Sequence, residues 1–318
     1  MSVTKIKLQT KTNSLLNWLL QPKSLCLNQE KEFVTHSMFE SVCASYSALE
    51  IQGIKTNKRE YHLQKIDDRR YNTEFLYPVL EISKIAREEL SDLILNFILH
   101  GSLSTYDFVP GWSDFDSMVV IKNNTLEDSS KMMKLRSLFF NIDRIINKID
   151  KHQHHGIHFI AEKDLLMYPS IYLPPDILGS GVSLIDSGKI TLFNRAYEEG
   201  VLRHHEYNGE YLTSDFKNYQ NAMYQLKYFL SVVVILPSYF MNILKKYPDK
   251  RSSIRQCKDI LKSKNFEIID RATEVRNEWT TFPVKDNQIP QKVMDTIGEK
   301  YFLRGYNLID DMKKYLGI

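Results

Sequence analysis

The sequence is poor in the residues that build metal knuckles, disulfide frameworks and disordered chains. It holds only three cysteines in 318 residues, and none of them forms a Cys-x-x-Cys pair. This spacing excludes both a zinc knuckle and a framework of disulfide bonds. Twelve glycines, ten prolines and an aromatic content of 12% also argue against low-complexity disorder.

The sequence also lacks a strong excess of one charge and a long apolar run. Forty-two Lys and Arg face 39 Asp and Glu, which gives a net charge of +3. This balance excludes a polybasic protein that holds nucleic acid by bulk charge, although it allows a local basic cleft. The most apolar stretch, residues 229–244, is shorter than the ~20 residues that span a bilayer, and it contains Pro237. We therefore expect a buried core helix in a cytoplasmic protein with no signal peptide.

A chain of this length fits about two domains. Between residues 76 and 197, short apolar runs of strand length alternate with helical periodicity, whereas only helical patterns occur after residue 214. We predict an α+β fold in which a small mixed β-sheet flanked by helices precedes an all-helical bundle. The predicted domains are an N-terminal extension of unclear role (1–75), the α/β core (76–197) and a C-terminal helical domain (198–318).

Hydrophobic spacing and proline positions predict the individual elements. The predicted strands are 93–99, 115–121, 156–160 and 189–193, and the predicted helices of the core are 76–94 and 126–149. The predicted C-terminal helices are 215–236, 238–247, 252–263, 265–280 and 289–315, with Pro237, Pro248 and Pro283 between or within them. The heavily charged segment 57–70 predicts a surface hairpin or a linker.

The segment that carries chemistry begins where the first core strand ends. His100-Gly101-Ser102 is followed by eleven residues and then by Asp114-Phe115-Asp116. A Gly-Ser pair that opens a helix presents backbone N–H groups at the positive end of the helix dipole, and such groups suit phosphate oxygens. Gly101 lets the backbone approach a ligand closely, and the hydroxyl of Ser102 adds a donor.

The two aspartates predict a site for a hard cation. Asp114 and Asp116 lie two residues apart on a predicted strand, so they share one face. Adjacent carboxylates repel each other unless a cation lies between them, and Mg²⁺ bound to substrate phosphates meets that need. Ser113 can shape the turn that leads into Asp114.

These residues resemble the signature of the DNA polymerase β-like nucleotidyltransferase superfamily. His100-Gly101-Ser102-Leu103 with Ser113-Asp114-x-Asp116 looks most like bacterial aminoglycoside nucleotidyltransferases, and the resemblance covers about residues 76–197. It implies transfer of a nucleoside monophosphate from an NTP to a hydroxyl of an acceptor, with release of pyrophosphate. By matching positions, the resemblance implies triphosphate binding at Gly101, Ser102 and Ser113, and Mg²⁺ binding at Asp114 and Asp116.

The sequence departs from the family pattern at the third carboxylate, which members usually carry on a later strand. On the predicted strand 156–160 the inward candidate is His158. A neutral imidazole can accept a proton from an acceptor hydroxyl, although it is a poorer Mg²⁺ ligand than a carboxylate. Glu162 or Asp164 just beyond are alternatives, and so is a site with weakened catalysis. An ordinary packed histidine also fits the position. We predict His158 as the third catalytic residue beside Asp114 and Asp116.

A basic run in the helical domain has two interpretations. Between residues 245 and 264 lie eight basic and two acidic side chains. The simpler interpretation is a solvated helix face. The other is that one or two of these cations neutralise a bound triphosphate, because phosphoryl transfer depends on positioning and charge neutralisation. Lys250 and Arg255 are the candidates for this second role.

The resemblance implies a Mg²⁺-dependent enzyme that uses ATP or another NTP. The expected acceptor is a small molecule such as an aminoglycoside-like compound, and nucleic acid is not favoured. The alternatives are a protein or tRNA acceptor, or a nucleotide-binding relative without catalysis. A homodimer is compatible with the resemblance, since sites shared by two subunits occur in this superfamily.

Overall fold

The structure of the protein is a computed structural model with two compact units. It describes residues 12–20, 36–47, 56–73, 76–149, 157–168, 173–186, 188–195, 222–279, 289–298 and 300–317. The first unit comprises Met1–Phe108, Ser113–Pro169 and Leu178–Ala196, and the second comprises Val109–Trp112, Ser170–Ile177 and Tyr197–Ile318. Both units therefore combine segments that are separated in the sequence.

A six-stranded mixed sheet forms the centre of the first unit. Its strands are β1 (Thr56–Lys65), β2 (Ile94–Leu99), β3 (Ser117–Ile121), β4 (His158–Ala161), β5 (Val182–Ser183) and β6 (Gly188–Arg195). The strand order is β4-β3-β2-β5-β1-β6. Pairs β3–β4 and β1–β5 are parallel, and the other neighbours are antiparallel. Every residue of β3 is buried, which fits the continuous apolar run in its sequence.

Helices cover the sheet of the first unit and close its core. Those described before residue 200 are α1 (12–20), α2 (His36–Ser47), α3 (Asp68–Tyr71), α4 (Tyr77–Ile85), α5 (Gly101–Thr105), α6 (Asn123–Leu126) and α7 (Ser129–Ile149). A π-helical turn, Ala86–Leu90, continues α4, and 3₁₀ turns span Glu162–Met167 and Pro175–Ser180. Phe139 of α7 packs on Phe97 and Phe159, with ring centroids 5.8 and 4.7 Å apart. The amphipathic face of α7 thus packs onto strands β2 and β4.

Strand β1 lies in the segment 57–70, where the sequence predicted a surface hairpin or a linker. It pairs along its length with β6, and its Glu60 carboxylate lies 2.6 Å from the ammonium of Lys189. Most β1 side chains are exposed or half-buried, so the strand has no apolar alternation for a sequence pattern to detect. The central sheet therefore includes residues that precede position 76.

The second unit is helical around an apolar core. Its described helices are α8 (Ala222–Ile243), α9 (Lys250–Leu261), α10 (Glu267–Glu278), α11 (Gln291–Ile297) and α12 (Tyr301–Leu316), with a 3₁₀ turn at Lys264–Phe266. Trp112 belongs to this unit and packs on Trp279 with ring centroids 4.9 Å apart. The predicted mixed α/β fold with a helical C-terminal region is confirmed, and its sheet has six strands where the sequence predicted four.

Two helix boundaries differ from the prediction. Helix α8 continues through Pro237, where a break was expected, and the predicted helix 289–315 is divided at Gly298. A proline inside a helix costs about 3 kcal/mol, and deep burial of the surrounding apolar residues offsets such a cost. Gly298 has a φ of +84°, a conformation that ends α11.

Helix α8 is also the one described helix that is long and apolar enough to cross a membrane. The window Leu226–Ile243 meets this test by length and composition, but 72% of it is buried inside the protein. Residues of this helix form part of the apolar core of the second unit.

Candidate active site

The glycine-serine turn lies at the end of the buried strand β2. His100 is extended, and Gly101 then adopts a φ of +64° as it opens the short helix α5. The carbonyl of Gly101 accepts hydrogen bonds from the hydroxyls of Ser104 (2.9 Å) and Thr105 (3.1 Å). The turn is therefore held by its own helix, and Gly101 and Ser102 remain half-buried at the start of that helix.

The structure brings Gly101 and Asp116 together. The backbone N–H of His100 donates to the carbonyl of Asp116 at 3.0 Å, which extends the β2–β3 ladder by one pair beyond Leu99 and Ser117. A Cβ atom at Gly101 would overlap Asp116 Oδ2 and would lie 3.1 Å from its Cγ. The missing side chain of Gly101 thus leaves the space in which the Asp116 carboxylate lies.

Phe115 fixes the segment that carries the two aspartates. Phe115 is fully buried and meets Phe97 edge-on, with centroids 6.2 Å apart. Strand β3 begins at Ser117, so Asp114 and Asp116 lie just before this strand and not, as was predicted, on it. Asp114 and Ser113 are each only 6% exposed, whereas Asp116 is half-buried.

His158 lies on the strand next to β3. Strand β4 runs parallel to β3 and pairs His158 with Met118, two residues after Asp116. Paired residues of neighbouring strands project to the same face, so His158 shares the face of Met118. The residue as a whole is half-buried, but its Nε2 atom is shielded from solvent.

The environment of His158 favours the neutral imidazole. Burial, with a smaller contribution from the nearby His100, lowers its pKa from 6.5 to about 4. His100 itself is buried at the end of β2. At pH 7 the ring of His158 can therefore accept a proton, although its low pKa makes it a weaker base than an ordinary histidine.

The alternative carboxylates lie at the other end of β4. Glu162 accepts a hydrogen bond from the backbone N–H of Asn123 at 3.1 Å, and Asp164 accepts one from the N–H of Ala161 at 2.8 Å. Four residues of extended strand separate His158 from Glu162, a rise of about 13 Å. The observed hydrogen bonds make both carboxylates anchors of the following 3₁₀ turn.

Sequence reasoning missed Tyr71, which anchors the glycine-serine helix from outside the core segment. Its hydroxyl donates to the carbonyl of Leu103 at 2.7 Å, and its ring packs on Tyr106 at 5.5 Å. Burial raises the pKa of Tyr71, so the hydroxyl stays a donor. A single Tyr in a charged segment gives no periodic signal that would have identified this role.

Lys250 and Arg255 belong to the second unit. Lys250 is the first residue of α9 and Arg255 lies in the middle of that helix, and both are exposed. The other predicted site residues all belong to the first unit.

The residues around Asp116 fit a magnesium ion in their chemistry. The carboxylates of Asp114 and Asp116 supply the hard oxygen ligands that Mg²⁺ prefers. Asp116 Oδ2 occupies the space that a side chain at Gly101 would fill, so the turn and this carboxylate lie in direct contact. Mg²⁺ is commonly held by one or two carboxylates together with substrate phosphates.

Protein-family models, curated proteins and solved structures show no match to this chain. Function therefore has to be argued from the site itself.

Proposed function

We propose that the protein is a Mg²⁺-dependent nucleotidyltransferase that moves a nucleoside monophosphate from an NTP to an acceptor hydroxyl. The observation that supports this most is the contact of the Gly101 turn with the Asp116 carboxylate, two residues after the buried Asp114. A phosphate-binding turn and a carboxylate pair are the two parts that a metal–triphosphate requires.

The chain's own residues have separate roles in this proposal. Backbone N–H groups at Gly101 and Ser102 bind the triphosphate, with the Ser102 and Ser113 hydroxyls as further donors. Asp114 and Asp116 would hold Mg²⁺, which supplies neutralisation of phosphate charge.

His158 serves as the proton acceptor in the reaction. The acceptor hydroxyl oxygen forms a bond to the α-phosphorus of the NTP, and the bond from that phosphorus to the bridging oxygen breaks. Pyrophosphate leaves with that electron pair, and the hydroxyl proton goes to the neutral imidazole. The lowered pKa of His158 keeps the ring unprotonated at neutral pH, as this step requires.

A small hydroxyl compound such as an aminoglycoside-like molecule is the first acceptor class to test, with protein and tRNA as the alternatives. A nucleotide-binding protein without turnover is the second candidate function. It is favoured by the imidazole at the position where the family pattern has a carboxylate, since imidazole is a poor Mg²⁺ ligand.

The test is pyrophosphate release from each of the four NTPs with Mg²⁺, in the presence of an aminoglycoside panel, tRNA or a protein acceptor. We expect release with one acceptor class and none from Asp116→Ala. The matched control is Asp92→Ala, which removes an exposed carboxylate of the same unit and should leave release unchanged. Nucleotide binding without release from any acceptor supports the second candidate, and full release from Asp116→Ala contradicts the metal assignment.

A further inference from the structure

Helix α9 presents a continuous basic stripe. Arg251, Arg255, Lys258 and Lys262 follow one another at spacings of four, three and four residues, and all four are exposed. These spacings put Arg251, Arg255 and Lys258 on one face of α9, and Lys262, with a φ of +48°, directly follows the helix. With a rise of 1.5 Å per residue, the stripe is about 17 Å long.

The basic stripe lowers the stability of helix α9. Like charges at a spacing of four residues repel each other and destabilise an isolated helix. From Lys250 to Lys264 the sequence has six basic side chains and one acidic side chain, Asp259. Lys258 forms an ion pair with Asp270 at 2.7 Å. The opposite side of α9 buries Ser253 and Cys257 in the second unit, so the basic side chains do not contribute to that core.

A pocket adjoins the C-terminal end of this stripe. It has a volume of about 500 Å³, within the size range of small-ligand sites. Its lining residues are Leu261, Ser263, Lys264, Asn265, Asp311, Lys314 and Tyr315. Leu261 is the last residue of α9, and Ser263 and Lys264 follow directly, so the basic stripe leads into the pocket.

The pocket combines cations with an exposed aromatic ring. Tyr315 is 54% exposed, although its ring also contacts Phe240 with centroids 5.5 Å apart. Asp311 accepts hydrogen bonds from the Ser263 hydroxyl and from Asn265 Nδ2. These bonds fix Asp311 in the pocket wall, while Lys264 and Lys314 are exposed.

We propose that the stripe and the pocket form a binding surface for single-stranded nucleic acid. The phosphate backbone follows the stripe from Arg251 to Lys262, and a base enters the pocket and stacks on Tyr315. A basic track joined to an exposed aromatic ring is the combination that binds single strands, because every base offers a face for stacking. An acidic protein segment would use the cations but would gain nothing from the aromatic ring.

This inference goes beyond the transferase proposal and does not depend on it. Binding at α9 needs no NTP, no Mg²⁺ and no turnover. Asp116→Ala should therefore bind the strand as the wild type does. Loss of transferase activity and loss of strand binding are thus separate results.

The test is fluorescence anisotropy with a labelled oligouridylate of about 12 nucleotides, within the site sizes of roughly 4–16 nucleotides known for single-strand binders. We expect binding that weakens with salt between about 50 and 200 mM, with a log–log slope of about −3 for four phosphate contacts, at Arg251, Arg255, Lys262 and Lys264. Arg251→Glu with Lys264→Glu should weaken binding at least about tenfold and make the slope shallower by about 1.4. Lys134→Glu with Arg144→Glu, two exposed residues of α7, is the charge-matched control.

Variants of Tyr315 distinguish the contribution of base stacking to binding from the contribution of charge. Tyr315→Ala should weaken binding about tenfold, the effect of removing one base–aromatic stack, with an unchanged salt slope. Tyr315→Phe should retain binding, and Tyr77→Ala, which removes an equally exposed tyrosine (58%), should have no effect. The proposal is overturned by an absence of binding, by equal affinity for a duplex or for polyglutamate, or by full affinity in Tyr315→Ala.

Discussion

At the scale of single residues, Gly101 is the position where the candidate site tolerates least change. An alanine there would have to adopt a φ of +64°, and its Cβ would overlap the Asp116 carboxylate. The left-handed conformation costs a non-glycine residue about 1–2 kcal/mol. We predict that Gly101→Ala lowers the free energy of unfolding by about that amount and abolishes NTP binding, as measured by urea denaturation and by nucleotide titration.

Gly188→Ala is the matched control for this variant. A Cβ at Gly188, at the exposed start of β6, would meet no heavy atom within 4 Å. It should change stability by less than about 0.5 kcal/mol and leave nucleotide binding intact. Normal NTP binding by Gly101→Ala would show that the turn does not contact the nucleotide.

His158 gives the protein a specific dependence of stability on pH. Its pKa is about 4 in the folded protein and 6.5 ordinarily, so between these values the unfolded chain binds more protons than the folded one. Stability from this group is therefore complete above pH 6.5 and is lost as the pH falls toward 4. We predict a loss of about 2 kcal/mol between pH 7 and pH 5.

The measurement is urea denaturation of the wild type and of His158→Gln at both pH values. The variant should lack most of this loss, because glutamine does not titrate. An equal loss in both proteins would mean that other groups cause it and that the His158 ring is accessible to protons in the folded state.

At the scale of elements, the contact of α8 with α12 depends on a glycine. A Cβ at Gly305 would lie 2.5 Å from Phe229 Cζ and 3.2 Å from Val233 Cγ2. Alanine is the better helix former by up to about 1 kcal/mol, but overpacking a core costs about 1–3 kcal/mol. We predict that Gly305→Ala is destabilising by about 1 kcal/mol or more in thermal or urea denaturation.

Leu303→Ala on the same helix serves as the comparison. Leu303 is 54% exposed, so its truncation should be nearly neutral. If Gly305→Ala instead raises stability, the two helices can move apart more easily than this packing indicates.

Elements with a strong apolar pattern could be predicted from the sequence, and elements without one could not. The apolar run of β2 and the helical spacing of apolar residues in α7 were sufficient to predict both elements. Strand β1 was not predicted, because its stability comes from backbone pairing with β6 and from charged cross-strand contacts such as Glu60 with Lys189. The helix end predicted at Pro237 was wrong, because the local preference of proline does not take the burial of α8 into account.

The candidate site was likewise predictable from the sequence only in part. Gly101 and Asp116 lie at the ends of two strands that the local sequence predicts, so their proximity could be predicted. The pairing of His158 with Met118 depends on the register of two distant strands, which the sequence only suggested. The anchoring of α5 by Tyr71 depends wholly on the tertiary fold and had no sequence signal.

At the scale of the whole molecule, the central claim is that the protein binds a metal–nucleotide at Gly101 and the two aspartates. Any ligand that binds only the folded state raises its stability, by about 2.7 kcal/mol at a concentration 100 times its Kd. Thermal unfolding of the full chain therefore reports nucleotide binding without knowledge of the acceptor.

The most direct test is the Tm of the wild type and of Asp116→Asn with each of the four NTPs, with and without Mg²⁺. We predict that at least one NTP raises the Tm of the wild type by several degrees only when Mg²⁺ is present, and that Asp116→Asn shows no such rise. The absence of any shift with every NTP, or an equal shift in Asp116→Asn, would contradict the central claim.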